Sequence, residues 1–178
     1  MTSTIKERSK TIKGLTIIQP ESFFDHRGEN IETYNENLYV ELLKSTGMFE
    51  FDELKFVIDS FSESSKNVLR GFHGDKQNHK LIQVLHGDVY LVVIDVRPSS
   101  QTYKNKQYIQ LNDKNRLQVL VPAGCVNAHL VMSEKCIFHY KLTKSYVNID
   151  NQIHVKWNSS EHNVFWPSSS PILSHRDS

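Results

Sequence analysis

Cysteine is scarce in this chain. Cys125 and Cys136 are the only two in 178 residues, and they form no C-x-x-C pair. Neither a disulfide framework nor a zinc knuckle is indicated. An excess of one charge sign is also lacking: 21 Lys and Arg balance 20 Asp and Glu, for a net charge of +1. That leaves no nucleic-acid footprint. No apolar run approaches membrane-spanning length, and the start, M-T-S-T-I-K-E-R-S-K, lacks a signal-peptide h-region. We therefore expect a cytoplasmic protein with no nucleic-acid or membrane partner. Internal repeats are absent, and low complexity is confined to Ser-rich pieces around Ser64 and before Pro171. The length suits one domain, residues 1–178, with a sizeable core. Its polar residues 1–10 are expected to be flexible.

Short extended segments dominate the remainder. Gly14 to Gln19 reads as a strand stopped by Pro20, and Asp25-His26-Arg27-Gly28 as a turn between two extended pieces. Asn35 to Thr46 is the one clear helix. Asn35 or Asn37 can cap it, Leu38, Leu42 and Leu43 give it an apolar face, and Gly47 can end it. Phe49 to Phe61 suits a strand, with a loop from Ser62 to Asn67. Asp88 to Val96 is nearly all apolar and reads as a strand buried on both faces. Tyr103 to Leu111 and Leu117 to Val121 follow as strands, Pro122 to His129 as a loop, and His154 to Trp157 as a short strand before an irregular tail. Lys135 to Leu142 alternates, with Cys136, Phe138, Tyr140 and Leu142 on one face. Many short strands with turns between them predict an all-β fold, a double-sheet jelly-roll barrel with one or two short helices.

The chemistry concentrates between Asn67 and Leu85. Arg70 has a planar fork suited to phosphate or carboxylate. His73 can exchange a proton near neutral pH. Lys80 can stabilise developing negative charge. Taken alone, these three are better read as solvated surface charges and a turn histidine. The inward-facing Tyr140 is either a core tyrosine bonded to backbone or a proton donor facing a cavity.

Six segments change that balance. R-G-F-H at 70–73, K-L-I-Q-V-L-H-G-D-V at 80–89, V-I-D-V-R-P-S-S-Q-T-Y at 93–103, V-P-A-G…A-H at 121–129, Y-K at 140–141 and W-P…P-I-L-S-H-R-D at 166–177 occur in one order. In that order they resemble the dTDP-4-dehydrorhamnose 3,5-epimerase family, over about Gly14 to Asp177. The resemblance implies a metal-free, cofactor-free cupin jelly roll, usually a homodimer. The family inverts carbons flanking the ketone of a nucleoside-diphosphate 4-keto-6-deoxy sugar. The resemblance implies His73 as the base, Asp177 as the carboxylate orienting it, and Tyr140 as the acid on the opposite face. Lys80 would stand near the ketone oxygen. Arg27, Arg70 and Arg176 would bind substrate through its diphosphate, and Glu32, Ser60 and His129 would hold other pocket positions.

The sequence departs from the rhamnose-pathway pattern at Phe72-His73-Gly74-Asp75, Glu29-Asn30-Ile31, Ile58-Asp59-Ser60 and Gln152. The His-Gly-Asp run is similar to a branch acting on GDP-linked 4-keto-6-deoxy-heptoses in bacterial capsule synthesis. A larger sugar there would use the room released by Gly74. Two other activities fit parts of the pattern. One is a metal-dependent cupin oxygenase or isomerase using His73, His79 and His129, although the H-x-H run of many metal cupins is missing. The other is a sugar-nucleotide 3,4-ketoisomerase.

Overall fold

The computed structural model describes residues 3–45, 55–145 and 149–178. Two antiparallel sheets form its body. The first is ordered β1 (Thr4–Arg8), β2 (Thr16–Gln19), β10 (Gln118–Val121), β7 (Lys80–His86), β12 (Lys135–Leu142) and β5 (Ile58–Ser65). The second is ordered β13 (Gln152–His154), β6 (Leu69–Asp75), β11 (Cys125–Val131), β8 (Asp88–Asp95) and β9 (Lys106–Asn112). A separate hairpin, β3 (Ser22–Asp25) with β4 (Gly28–Ile31), pairs with neither. Its turn falls at the expected Asp25 to Gly28. This is the all-β jelly-roll architecture with one short helix.

Period-two alternation explains the layers. Ile17, Ile82, Val84, Val119, Val121, Cys136 and Phe138 of the first sheet meet Val89, Leu91, Val93, Ile109, Leu111, Cys125 and Val131 of the second in one core. The outer face of the first sheet, through Ile18, Leu81 and Leu120, is covered by α1 (Glu36–Lys44) with Tyr39, Val40 and Leu43. The outer face of the second, through Phe72, Val92, Ile94, Val126 and Ala128, lies under Val155, Val164 and Trp166. Strand β8 is thus covered on both sides, which is why its sequence is a nearly unbroken apolar run.

Several boundaries differ from expectation. Residues 4–8 form β1, a strand the sequence does not predict, through antiparallel pairing to β2. Strand β5 continues through Ser62 to Ser65, where a loop was predicted, because its whole length pairs with β12. His129 lies inside β11 rather than at the end of a loop, since pairing with β8 starts at Cys125. Strand β9 begins at Lys106, after turns at 101–104 that its sequence does not advertise. The predicted helix stop at Gly47 and strand start at Phe49 lie outside the described residues. Among the described residues, no helix is long and apolar enough to cross a membrane.

Candidate active site

Between the sheets opens a cavity of about 660 Å³, lined by residues of both and by the C-terminal segment. Its walls face one another. Strands β6 and β11 supply Arg70, His73, Asn127 and His129; strands β7 and β12 supply Lys80, Phe138 and Tyr140. Seven of the ten predicted site residues therefore share one hollow: His73, Tyr140, Asp177, Arg70, Lys80, His129 and Arg176.

Strict alternation would send Arg70 and His73, three positions apart, to opposite faces. An irregularity in the β6–β11 ladder prevents this. Asn127 pairs with His73 and His129 with Arg70, so two residues of β6 stand opposite one of β11. Gly71 makes the bulge possible. Its φ is +118°, and a Cβ there would meet Asn127 O at 2.6 Å and Ala128 Cα at 2.8 Å.

His73 Nε2 is bonded to Asp177 Oδ1 at 2.7 Å. With the proton on Nε2, the neutral ring keeps its lone pair on Nδ1. Burial lowers the pKa of His73; Asp177 opposes that, without cancelling it. Asp177 is 3% exposed. Burial would raise its pKa, but the charge and hydrogen bond of His73, the Ser174 hydroxyl and the Gly71 N–H together hold it below the usual carboxylate value. The tail that carries Asp177 is pinned along β6: Ile172 N–H donates to Asn67 O, and Leu69 N–H to Ile172 O.

Across the cavity, Lys80 Nζ donates to Asn127 Oδ1 at 2.8 Å and lies 5.7 Å from the centroid of the Tyr140 ring. Burial pushes the Lys80 ammonium down to about 8, with Asp75 pulling the other way. His129 stacks on Phe138, ring centroids 3.8 Å apart. Its Nε2 is buried with no hydrogen-bond partner among the described residues. Burial, then the charges of Arg70, Lys80 and His73, push its pKa down to about 3, so the ring is neutral. Arg70 holds Ser64 Oγ through Nε at 3.0 Å, and Arg176 reaches Gln152 Oε1 at 2.8 Å.

Three predicted residues lie outside the cavity lining. Ser60 is on β5 directly opposite Tyr140, between the lining residues Ile58 and Ser62. Arg27 sits at the tip of the β3–β4 hairpin, paired with Asp25 and 78% exposed. Glu32 follows that hairpin and is exposed.

Two groups carry no sequence signal of their place here: Asn127, which lines the cavity, and His154, which lies beside His73. Asn127 carried no ionisable signal, and its role as Lys80's partner needs the β6–β11–β7 arrangement. His154 stands opposite His73 in the β13–β6 register. The metal set His73, His79 and His129 is not assembled: the group close enough to hold one ion among the described residues is His73, His154 and Asp177. His79 instead accepts the Ala123 N–H through Nδ1. Nor does Gly74 release room. A Cβ there would meet Cys125 O at 2.3 Å and Val126 Cγ1 at 2.9 Å, so this glycine admits the neighbouring strand instead.

A double-sheet barrel with an imidazole–carboxylate pair on one wall, and a phenol and a buried ammonium on the other, defines a proton-transfer enzyme of the cupin type. The sequence model of dTDP-4-dehydrorhamnose 3,5-epimerase matches residues 9–178. The chain belongs to that family of nucleotide-sugar epimerases. It is 33% identical over 159 residues to the dTDP-4-dehydrorhamnose 3,5-epimerase of Methanothermobacter thermautotrophicus, covering 88% of this chain and 81% of the other. The crystal structure of the enzyme of that name from Elizabethkingia anophelis superposes with a TM-score of 0.86 at 32% identity, over 99% of this chain and 94% of that one. A Legionella pneumophila 3,5-epimerase in complex with dTDP-4-keto-L-rhamnose gives 0.83 at 30% identity, over 99% and 89%.

Proposed function

We propose that this protein inverts one or both carbons flanking the ketone of a nucleoside-diphosphate 4-keto-6-deoxy sugar, with no cofactor. The observation that carries this reading is the opposition of His73 and Tyr140 on facing walls of one cavity. His73 Nδ1 takes the proton next to the ketone, and the C–H electrons pass into the enolate. Asp177 supports the imidazolium that results. Lys80, a cation at neutral pH, stabilises the enolate oxygen. Tyr140 O–H returns a proton to the opposite face, and solvent restores both groups. Arg70 and Arg176, exposed at the cavity, suit the diphosphate. The unpartnered Nε2 of His129 suits a sugar hydroxyl.

The relatives named above support a dTDP-linked hexose. A GDP-linked 4-keto-6-deoxy-heptose is the second reading, because Gly74, Asp75 and Gln152, where the sequence leaves the rhamnose-pathway pattern, all line the cavity. Incubation with each substrate in deuterated water, followed by NMR, tests both. Deuterium entering beside the ketone with inversion supports the activity and identifies the nucleotide. No exchange with either substrate rejects it.

A homodimer completes the proposal. The β3–β4 hairpin pairs with neither sheet, exposes Phe24 at 75%, and carries Arg27 away from its own cavity. A second copy would receive it. Mixing inactive Arg27→Ala and His73→Ala proteins restores part of the turnover if Arg27 serves the other copy's cavity, and none if it serves its own; an Arg27→Ala protein that is active by itself means that Arg27 serves neither.

A further inference from the structure

We propose that His73, His154 and Asp177 form a binding site for a divalent transition-metal ion, zinc foremost, and that the ion inhibits the enzyme. The two imidazoles converge on one oxygen: Asp177 Oδ1 lies 2.7 Å from His73 Nε2 and 3.4 Å from His154 Nε2. Their rings stack with centroids 5.3 Å and planes 29° apart. One donor atom from each of the three residues lies within 4.8 Å of the others. Tetrahedral zinc with bonds of about 2.0–2.2 Å sets its ligands about 3.3–3.6 Å apart. The His154–Asp177 pair already has that spacing. The His73–Asp177 hydrogen bond reaches it by opening about 0.6 Å, and the His73–His154 donor pair lies within 4.8 Å.

The rest of the arrangement holds these donors in place. His73 and His154 are direct register partners on adjacent strands. Asp177 Oδ2 accepts from Ser174 Oγ at 3.1 Å and Gly71 N–H at 3.5 Å, which orients the carboxylate before any ion arrives. Two imidazoles and a carboxylate suit zinc and its neighbours in the first transition row. Arg176 is the nearby charge that opposes a cation, and its guanidinium is engaged by Gln152.

Coordination changes the base. In the metal-free protein the His73 proton sits on Nε2, toward Asp177. Binding through Nε2 uses that nitrogen's lone pair, so the proton leaves Nε2 and another is taken up from solvent at Nδ1. The ring's charge is conserved, but the lone pair that removes the substrate proton is gone. The binding claim stands on geometry alone; the inhibition rests on His73 being the base, as proposed above.

The test uses the full chain. Cobalt(II) absorption reports coordination, and calorimetry with zinc gives stoichiometry and affinity. One equivalent is expected for the natural sequence, and at least tenfold weaker binding for His154→Ala and His154→Gln, with melting curves confirming that both fold. Zinc slows turnover over the concentrations that fill the site, and a chelator restores it. The variants, each compared with its own metal-free rate, keep that rate at the same zinc concentration. Absence of cobalt bands at millimolar metal, or equal affinity in both variants, overturns the proposal. Binding by a protein that turns over neither nucleotide sugar leaves the site standing and removes the epimerase reading; active protein without binding does the reverse.

Discussion

His73 and Asp177 stand 104 positions apart in sequence and share one 2.7 Å hydrogen bond. The carboxylate fixes the imidazole's tautomer, because an anionic oxygen at Nε2 demands a proton there. Asp177→Asn keeps the shape and removes that demand. We expect a fall in kcat of about 10²–10⁴, the range typical of a lost acid–base function, with KM little altered. Steady-state kinetics on the purified variant checks this. A loss confined to KM contradicts it.

Tyr140 and His73 face the cavity from different sheets, so their loss should leave different signatures. In His73→Ala, neither deuterium uptake nor inversion proceeds. In Tyr140→Phe, His73 still removes a proton and can return a deuteron to the same face. Exchange then continues while inversion stops. NMR of the recovered sugar separates the two, and inversion at full rate in Tyr140→Phe would sink the assignment.

The pH profile follows from two depressed pKa values. His73 acts when unprotonated, and its pKa lies below 6.5. Lys80 acts when protonated, and its pKa is about 8. A bell in kcat/KM is expected, with its acid limb below 6.5 and its alkaline limb near 8. Asn127→Leu removes the acceptor of the Lys80 ammonium. That lowers the Lys80 pKa further and moves the alkaline limb to lower pH. A limb that does not move means that another group sets it.

His129 should leave its mark on stability. Its pKa is about 3 in the folded protein and near 6.5 once unfolded. Between those values the unfolded chain binds the extra proton more readily. Stability contributed by the neutral ring is therefore complete above 6.5 and lost as pH falls toward about 3, by at most about 1.4 kcal/mol per pH unit. His129→Phe keeps a ring against Phe138 and abolishes that contribution. Urea denaturation at several pH values should give a shallower acid slope for the variant.

Gly71 is where the backbone allows the bulge. Gly71→Ala places a methyl 2.6 Å from Asn127 O on a φ of +118°. We expect a loss of about 2–4 kcal/mol from clash and strain together, read by thermal unfolding. Activity should fall as well, because Arg70 and His73 lose their common face.

Local pattern made much of the fold legible. The strand Lys135 to Leu142 is found where alternation predicts it, with Phe138 and Tyr140 facing inward. The helix starts at its Asn35 cap, and the turn at 25–28 joins two strands. Pairing partners were less visible. Thr4–Arg8 has no apolar signature and becomes a strand only because β2 lies beside it. His129 looked like a loop residue because Pro122 and Gly124 dominate its neighbourhood, whereas ladder bonds to β8 decide its conformation.

By itself the sequence determined the alternation that gives two packed sheets, and the residue types suited to the chemistry: His73 and Tyr140 to exchange a proton, and Lys80 to stabilise negative charge. Both are properties of neighbouring residues, set by the strand's period of two and by side-chain chemistry. The tertiary structure alone decided which of these groups meet. It turned Arg70 and His73 to one side through a bulge, brought the Asp177 side chain to the imidazole, set Asn127 against Lys80, and left Arg27 outside its own cavity. Those relations depend on ladder register and chain closure over many tens of residues, which no local spacing encodes.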